Sequence, residues 1–395
     1  MPKQIRKDPG LSDRLVRAGR PKKTEGRSVN MPIELGSTMV FDTMQAFLDA
    51  RDRRHEGGTS YYGRYGNEAT HALETALAEL DGADGVKLTA SGVSAITCSL
   101  MAVAGAGDHV LVADNIYGNT RAFAETVLAR QGVEVDFFDP MIGPGVAELF
   151  KPTTRALMFE APGSITFEVP DIPVIAAACR KAGVVSILDA TWPTPVFCRP
   201  LDLGVDVVVT SGSKYLNGHS DAMIGTIATN EPLLDTIRKT VHAVGDRPGS
   251  QEVFLSLRGL RTLELRMAAV DRAGRAVADW FQDRPECLRL LHPAFESCPG
   301  HMFWSRDFTG AAGLFAVLLD ASSEMHAHRF VNALAHFGIG VSWGGYESLA
   351  LPMVPTRTAS TWSEPGHLVR FNIGLEDADT LIADIEAALP VLKEA

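Results

Sequence analysis

Residues 184–214 read Val-Val-Ser-Ile-Leu-Asp-Ala-Thr-Trp-Pro-Thr-Pro-Val-Phe-Cys-Arg-Pro-Leu-Asp-Leu-Gly-Val-Asp-Val-Val-Val-Thr-Ser-Gly-Ser-Lys, and this stretch decides the architecture. It holds two short β-branched runs, 184–189 and 205–210, with little polar alternation, the pattern of strands covered on both faces of a sheet. Each run stops on polar residues. Asp189 ends the first, and Ser211, Ser213 and Lys214 follow the second. In open α/β sheets ligands collect at the C-terminal ends of the strands, so these residues are the first candidates for chemistry.

Working outward, similar short apolar runs occur at 85–88, 109–113, 134–138, 156–160 and 224–228. Helical patterns alternate with them at 94–104, 120–130, 172–182 and 231–241. This alternation predicts an α/β domain with a mostly parallel central sheet and helices on both faces. A further helix over 71–80 stops at Asp81-Gly82, where glycine suits a left-handed cap. The first 60 residues lack sustained periodicity and read as an N-terminal arm, 1–60, contacting a neighbouring subunit. The α/β domain then spans 61–255. A long helical pattern over 251–283, shorter mixed segments from 314 and a helix over 377–388 predict a smaller C-terminal α+β domain, 256–395.

At 395 residues, with 46% hydrophobic and 22% charged residues, the chain exceeds what one core usually holds. A formal net charge of -11 argues against nucleic acid as a partner and favours a small-molecule substrate. Basic residues do gather early, at Lys3, Arg6, Lys7, Arg14, Arg17, Arg20, Lys22 and Lys23, against Asp8 and Asp13. They read as a solvated arm rather than a nucleic-acid tail. No apolar run is long enough for a signal-peptide core or a membrane span, so the expected location is cytoplasmic. Five cysteines (Cys98, Cys179, Cys198, Cys287, Cys298) lack CxxC pairing and are odd in number. They are expected to be reduced packing residues, and no metal site is expected.

The strand ends supply a lysine amine (Lys214), a carboxylate (Asp189) and, after the run 85–88, Thr89-Ala90-Ser91-Gly92-Val93 leading into a helix whose N-terminal amides suit an anion. An amine for an aldehyde, a carboxylate for a ring nitrogen and donors for a phosphate are the requirements of a pyridoxal 5'-phosphate site. Each residue alone has an ordinary reading: a solvated lysine, a turn aspartate, a helix cap. A phosphate-binding α/β fold of another kind also accounts for the set.

Further segments narrow the choice: Phe-Asp-Pro-Met-Ile-Gly (138–143), Glu-Ala-Pro-Gly-Ser-Ile-Thr-Phe-Glu-Val (160–169), Lys-Tyr-Leu-Asn-Gly-His-Ser-Asp-Ala-Met-Ile-Gly-Thr (214–226), Ser-Trp-Gly-Gly-Tyr-Glu-Ser-Leu (342–349) and Ile-Gly-Leu-Glu-Asp (373–377). Through them the chain resembles, from Tyr62 to Leu392, the Cys/Met-metabolism family of pyridoxal phosphate-dependent enzymes, and within it the cystathionine β-lyase branch. The resemblance implies an aminotransferase-like fold of type I. It implies that Lys214 carries the cofactor as a Schiff base and later moves protons, that Asp189 pairs with the ring nitrogen, and that Tyr117 stacks on the ring. The amides of Gly92 and Val93 and the hydroxyls of Ser211 and Ser213 would bind the phosphate. Tyr62 and Arg64 would reach the phosphate of a neighbouring subunit, although by themselves they read as a surface aromatic and arginine cluster. Arg370 would grip the substrate α-carboxylate, with Ser342 and Trp343 lining the same region.

The implied reaction is carbon-sulfur β-elimination from cystathionine to homocysteine, pyruvate and ammonia, a step of methionine biosynthesis, in a homo-oligomer, specifically a homotetramer. Rival expectations are γ-elimination or γ-replacement in the same fold, a broader cysteine-S-conjugate β-lyase, and a cofactor-binding protein without turnover. Two positions depart from the family. Ala190 stands where an asparagine usually follows the aspartate, and Val341 stands where the β-lyase branch has tyrosine.

Overall fold

The structure, a computed structural model, describes residues 10–20 and 28–393; Lys3, Arg6, Lys7, Asp8, Lys22 and Lys23 lie outside them. Two short helices, α1 (Leu11–Arg17) and α2 (Met44–Asp52), interrupt the stretch read as an extended arm. Their lengths hide their periodicity, but α1 buries Leu15 in the core and α2 starts on Thr43, whose hydroxyl accepts the Ala46 amide. Then follow α3 (Glu68–Asp81), β1 (Gly85–Thr89), α4 (Gly92–Val103), β2 (His109–Ala113), α5 (Gly118–Phe123), β3 (Glu134–Phe138), β4 (Thr154–Glu160), α6 (Ile172–Ala182), β5 (Val185–Asp189), α7 (Thr194–Phe197), β6 (Val207–Ser211), β7 (Gly225–Thr229) and α8 (Leu233–Val244). All seven strand expectations up to residue 230 correspond to strands.

These strands form one seven-stranded sheet in the order β1-β7-β6-β5-β4-β2-β3. β2, β3, β4, β5 and β6 run parallel, and β7 is antiparallel to both β1 and β6. Because side chains alternate along a strand, each face has its own set. Val110, Val112, Met158, Ile187, Val207 and Val209 pack with Ala95 and Ile96 of α4 and Ile237 of α8. Leu111, Leu157, Phe159, Leu188 and Val208 pack on the opposite side with Leu77 of α3 and Ile175 of α6. Burial on both faces explains why these runs are uninterrupted by polar residues.

Downstream come α9 (Ser250–Leu260), α10 (Leu263–Gln282), β8 (Cys287–Leu291), α11 (His301–Asp307), β9 (Leu314–Leu319), α12 (Glu324–Ala333), β10 (Leu349–Met353), β11 (His367–Asn372) and α13 (Ala378–Ala388). The four strands make an antiparallel sheet, β10-β11-β9-β8, packed through Phe315, Val317 and Phe371 against α10, α12 and α13. One core joins the two sheets. Met267 and Val270 of α10, with Leu314 and Ala316 of β9, belong to the same buried cluster as Leu188 and Val208. Trp192 Nε1 also donates to the Leu314 carbonyl at 2.8 Å.

The single helical pattern at 251–283 is two helices. The Gly259 carbonyl accepts from the Thr262 amide at 3.1 Å and from Arg266 Nη2 at 2.7 Å, which diverts it from the next helical turn and ends α9. Gly259 is held there by Asn217, whose carbonyl oxygen would lie 2.2 Å from an added Cβ.

Candidate active site

β5 and β6 are neighbours, so Asp189 and Ser211 come side by side at the C-terminal edge of the sheet. Thr191 ties them: its hydroxyl donates to Asp189 Oδ1 at 2.5 Å, its amide donates to the same oxygen at 2.9 Å, and its Oγ1 accepts the Ser211 amide at 2.8 Å. Burial pushes the Asp189 carboxyl up, against the pull of these Thr191 bonds and of the Lys214 charge. Ala190 is buried, and its amide donates to the Val209 carbonyl at 2.9 Å. The hydrogen bonds to Asp189 therefore come from position 191, and the missing asparagine side chain leaves them in place.

Lys214 lies in the turn that β6 feeds. Its amide donates to the Ser211 carbonyl at 3.1 Å, and its carbonyl accepts the Gly218 amide at 2.7 Å. Its Nζ donates to Ser342 Oγ at 2.7 Å and stands 5.4 Å from the centre of the Trp343 ring. Gly344 makes this approach possible: with φ +78, an added Cβ would lie 2.9 Å from the Tyr215 amide nitrogen and 3.0 Å from Lys214 Cβ. Burial, then the nearby Arg370 guanidinium, lower the Lys214 ammonium to about 8, with Asp189 opposing.

Arg370 projects from β11, is 9% exposed, and donates through Nη2 to the Val341 carbonyl at 2.8 Å. Burial lowers it to about 10, so it remains a cation at neutral pH. Tyr117, between β2 and α5, is 39% exposed and its hydroxyl accepts from Asn119 Nδ2 at 2.7 Å. Its hydroxyl is close enough to Arg370 to favour the guanidinium's charge. The fold thus gathers Lys214, Asp189, Tyr117, Arg370, Ser342 and Trp343 from five segments that are remote in sequence.

The expected anion cradle also forms. Ser91 caps α4 in a reciprocal box with Ser94, so the Gly92 and Val93 amides open the helix. Gly92 faces Ser211 so closely that a Cβ there would fall 2.5 Å from Ser211 Cβ and 2.6 Å from its Oγ. Ser213 is engaged differently: its hydroxyl donates to the Ile224 carbonyl at 3.2 Å and accepts the Ile224 amide at 2.9 Å, pinning the turn to the start of β7. Tyr62 and Arg64 stand apart from this group. Arg64 donates to the carbonyl of His242 in α8 and, at 3.1 Å, to the Tyr65 hydroxyl, while Tyr62 bridges to Thr38. A reactive amine, a buried carboxylate and a helix N-terminus against a serine are three polar points at one sheet edge, and this donor set fits an aldehyde-bearing pyridine phosphate.

Sequence reasoning passed over three residues. Thr191 differs little from any threonine after a strand. Arg266 of α10 is buried, donating to the carbonyls of Tyr215, of Leu216 at 3.3 Å and of Gly259 at 2.7 Å, and so carries the Lys214 turn on its guanidinium. Glu160, 5% exposed at the end of β4, is register-paired with Asp189. A carboxylate closing the apolar run 156–160 was the one visible signal among them.

Known proteins agree with this geometry. The chain matches the family described as Cys/Met metabolism PLP-dependent enzyme over residues 12–390. It is 37% identical over 390 residues to the cystathionine beta-lyase MetC of Escherichia coli, covering 96% of this chain and 98% of that protein. It is 41% identical over 371 residues to a cystathionine beta-lyase of Bordetella avium, covering 93% of each. The crystal structure of metB from Corynebacterium glutamicum superposes with a TM-score of 0.88 at 29% identity, covering 97% of this chain and 98% of that one. The aminotransferase-like fold of type I is therefore the fold adopted, and the chain belongs to the Cys/Met metabolism PLP-dependent enzymes.

Proposed function

We propose that this chain is a carbon-sulfur β-lyase that converts cystathionine to homocysteine, pyruvate and ammonia in the cytoplasm, as a homotetramer. The observation that carries the reading is the placement of Lys214 between Asp189 and Arg370, with its Nζ bonded to Ser342 Oγ at 2.7 Å. Pyridoxal phosphate, when bound, supplies the electron sink that makes the substrate Cα–H acidic.

In this reading Lys214 holds the aldehyde carbon, is displaced by the substrate amine, and takes the Cα proton; an ammonium lowered to about 8 releases and regains a proton near neutral pH. Asp189, oriented by Thr191, faces the ring nitrogen and holds its proton. The Tyr117 ring covers one face of the cofactor. The Gly92 and Val93 amides and the Ser211 hydroxyl hold the phosphate dianion, with Ser213 bracing their turn. Tyr62 and Arg64 serve the phosphate of a neighbouring subunit. Arg370 turns its guanidinium to the substrate α-carboxylate in a bidentate pair, next to Ser342 and Trp343. The sulfur leaves from Cβ as the thiol, and water completes the release of pyruvate and ammonia.

The test is to incubate the purified, cofactor-loaded protein with cystathionine and identify both products. Pyruvate with homocysteine is expected. 2-Oxobutyrate with cysteine would assign γ-elimination instead and overturn the β-lyase reading.

A further inference from the structure

Glu160 ends β4 beside Asp189, and both its oxygens are used. Oε1 accepts the Tyr117 amide at 2.8 Å and Oε2 accepts the Ser164 amide at 2.9 Å. These amides belong to different loops, the one between β2 and α5 and the one between β4 and α6. The loops are also sewn directly: the Ser164 amide donates to the Asn115 carbonyl at 3.0 Å, and Asn115 Nδ2 donates to Glu168 Oε2 at 3.1 Å. Gly163 permits this, since a Cβ there would fall 1.9 Å from Asn115 Nδ2. Tyr117 itself has a loose outer end, with only the exposed Asn119 amide on its hydroxyl. Its position over the sheet edge is thus fixed from the backbone side, and Glu160 is the side chain that fixes it.

The arrangement is costly. Two buried carboxyl groups stand on neighbouring strands in register, and burial together with the Asp189 charge pushes Glu160 up to about 8. A group kept against such a penalty at the edge of a site marks a functional demand rather than a packing one. A glutamine of the same size would fill the space without a second negative charge.

We infer that Glu160 is a positioning residue: it grips the Tyr117 amide so that the tyrosine ring lies flat on the bound cofactor. The inference rests on the proposed stacking role of Tyr117. Glu160→Gln keeps one acceptor oxygen but turns an NH2 toward the other amide, donor against donor, and so frees one loop.

The test is a double-variant cycle read by pyridoxal phosphate binding to the cofactor-free protein, with no substrate present. Apparent dissociation constants are measured for the parent, Glu160→Gln, Tyr117→Ala and the double variant. Melting temperatures of all four cofactor-free chains are recorded. Glu160→Gln is expected to weaken binding about tenfold when Tyr117 is present and less than twofold when it is alanine. Its cofactor-free melting temperature should be unchanged or higher, because a buried charge has been removed. Equal weakening in both backgrounds, unchanged binding, or a lowered cofactor-free melting temperature would each overturn the inference. If the parent chain takes up no cofactor, the functional reading falls and this one with it; uptake with an indifferent Glu160→Gln sinks this one alone.

Discussion

Lys214 is surrounded by groups that pull its proton affinity in opposite directions. Burial and Arg370 lower it, Asp189 raises it, and the balance lies at about 8. For the cofactor-free protein this sets a rate. Only the neutral amine attacks an aldehyde, so uptake of pyridoxal phosphate should quicken as pH rises and level off above about 8. At pH 7 roughly a tenth of the Lys214 amines are neutral, so the rate constant should grow about tenfold between pH 7 and 9. Stopped-flow absorbance would record this; a rate still climbing at pH 10 would mean an ordinary lysine. Val341 teaches a related lesson. Its side chain is 79% exposed while its carbonyl holds Arg370, so the backbone of this position, whatever its side chain, belongs to the site.

At the scale of elements, Arg266 shows how a helix can carry a turn from a distance. Replacing it with methionine would leave the Tyr215 and Leu216 carbonyls buried without their donor, at about 1–3 kcal/mol each. Arg266→Met should therefore lower unfolding stability by roughly 2–4 kcal/mol in urea titration, and the cofactor-free and loaded chains should both show it. The same residue explains what the sequence hid. Strands at 185–189 and 207–211 were legible because burial on both faces removes polar residues from them, and Lys214 and Asp189 were legible as the polar stops that follow. The division between α9 and α10 was not, because it depends on Gly259 meeting Asn217 and Arg266 reaching back to the same carbonyl. Thr191 was hidden for a similar reason: its value lies in bridging two strand ends that the fold alone makes neighbours. Arg370, Tyr62 and Arg64 were named through resemblance to the family, since nothing in their local spacing points to a carboxylate or a phosphate.

The whole molecule is stitched across its two sheets. Arg357, from the stretch between β10 and β11, donates at 2.6 Å to both Glu168 and Thr166, and Asp114 accepts the amides of Thr358, Ala359 and Ser360. If Tyr62 and Arg64 serve a neighbour, as proposed, a further seam runs between subunits. Arg64→Ala and Lys214→Ala chains, each inactive alone, should then regain up to about a quarter of parental activity when dissociated together and reassembled, because mixed pairs contain one site with both residues intact. No recovery would place both residues in the same subunit's site. The loop that brings Ser342 to Lys214 has its own consequence for how such a protein can change over generations. A recombination event that exchanged everything after α9 for the same region of a distant relative would also exchange the lysine's hydrogen-bond partner, the glycine that lets the loop approach, and the buried arginine under the turn. Inheritance therefore has to treat the chain as one piece, and its variation is confined to substitutions made one at a time.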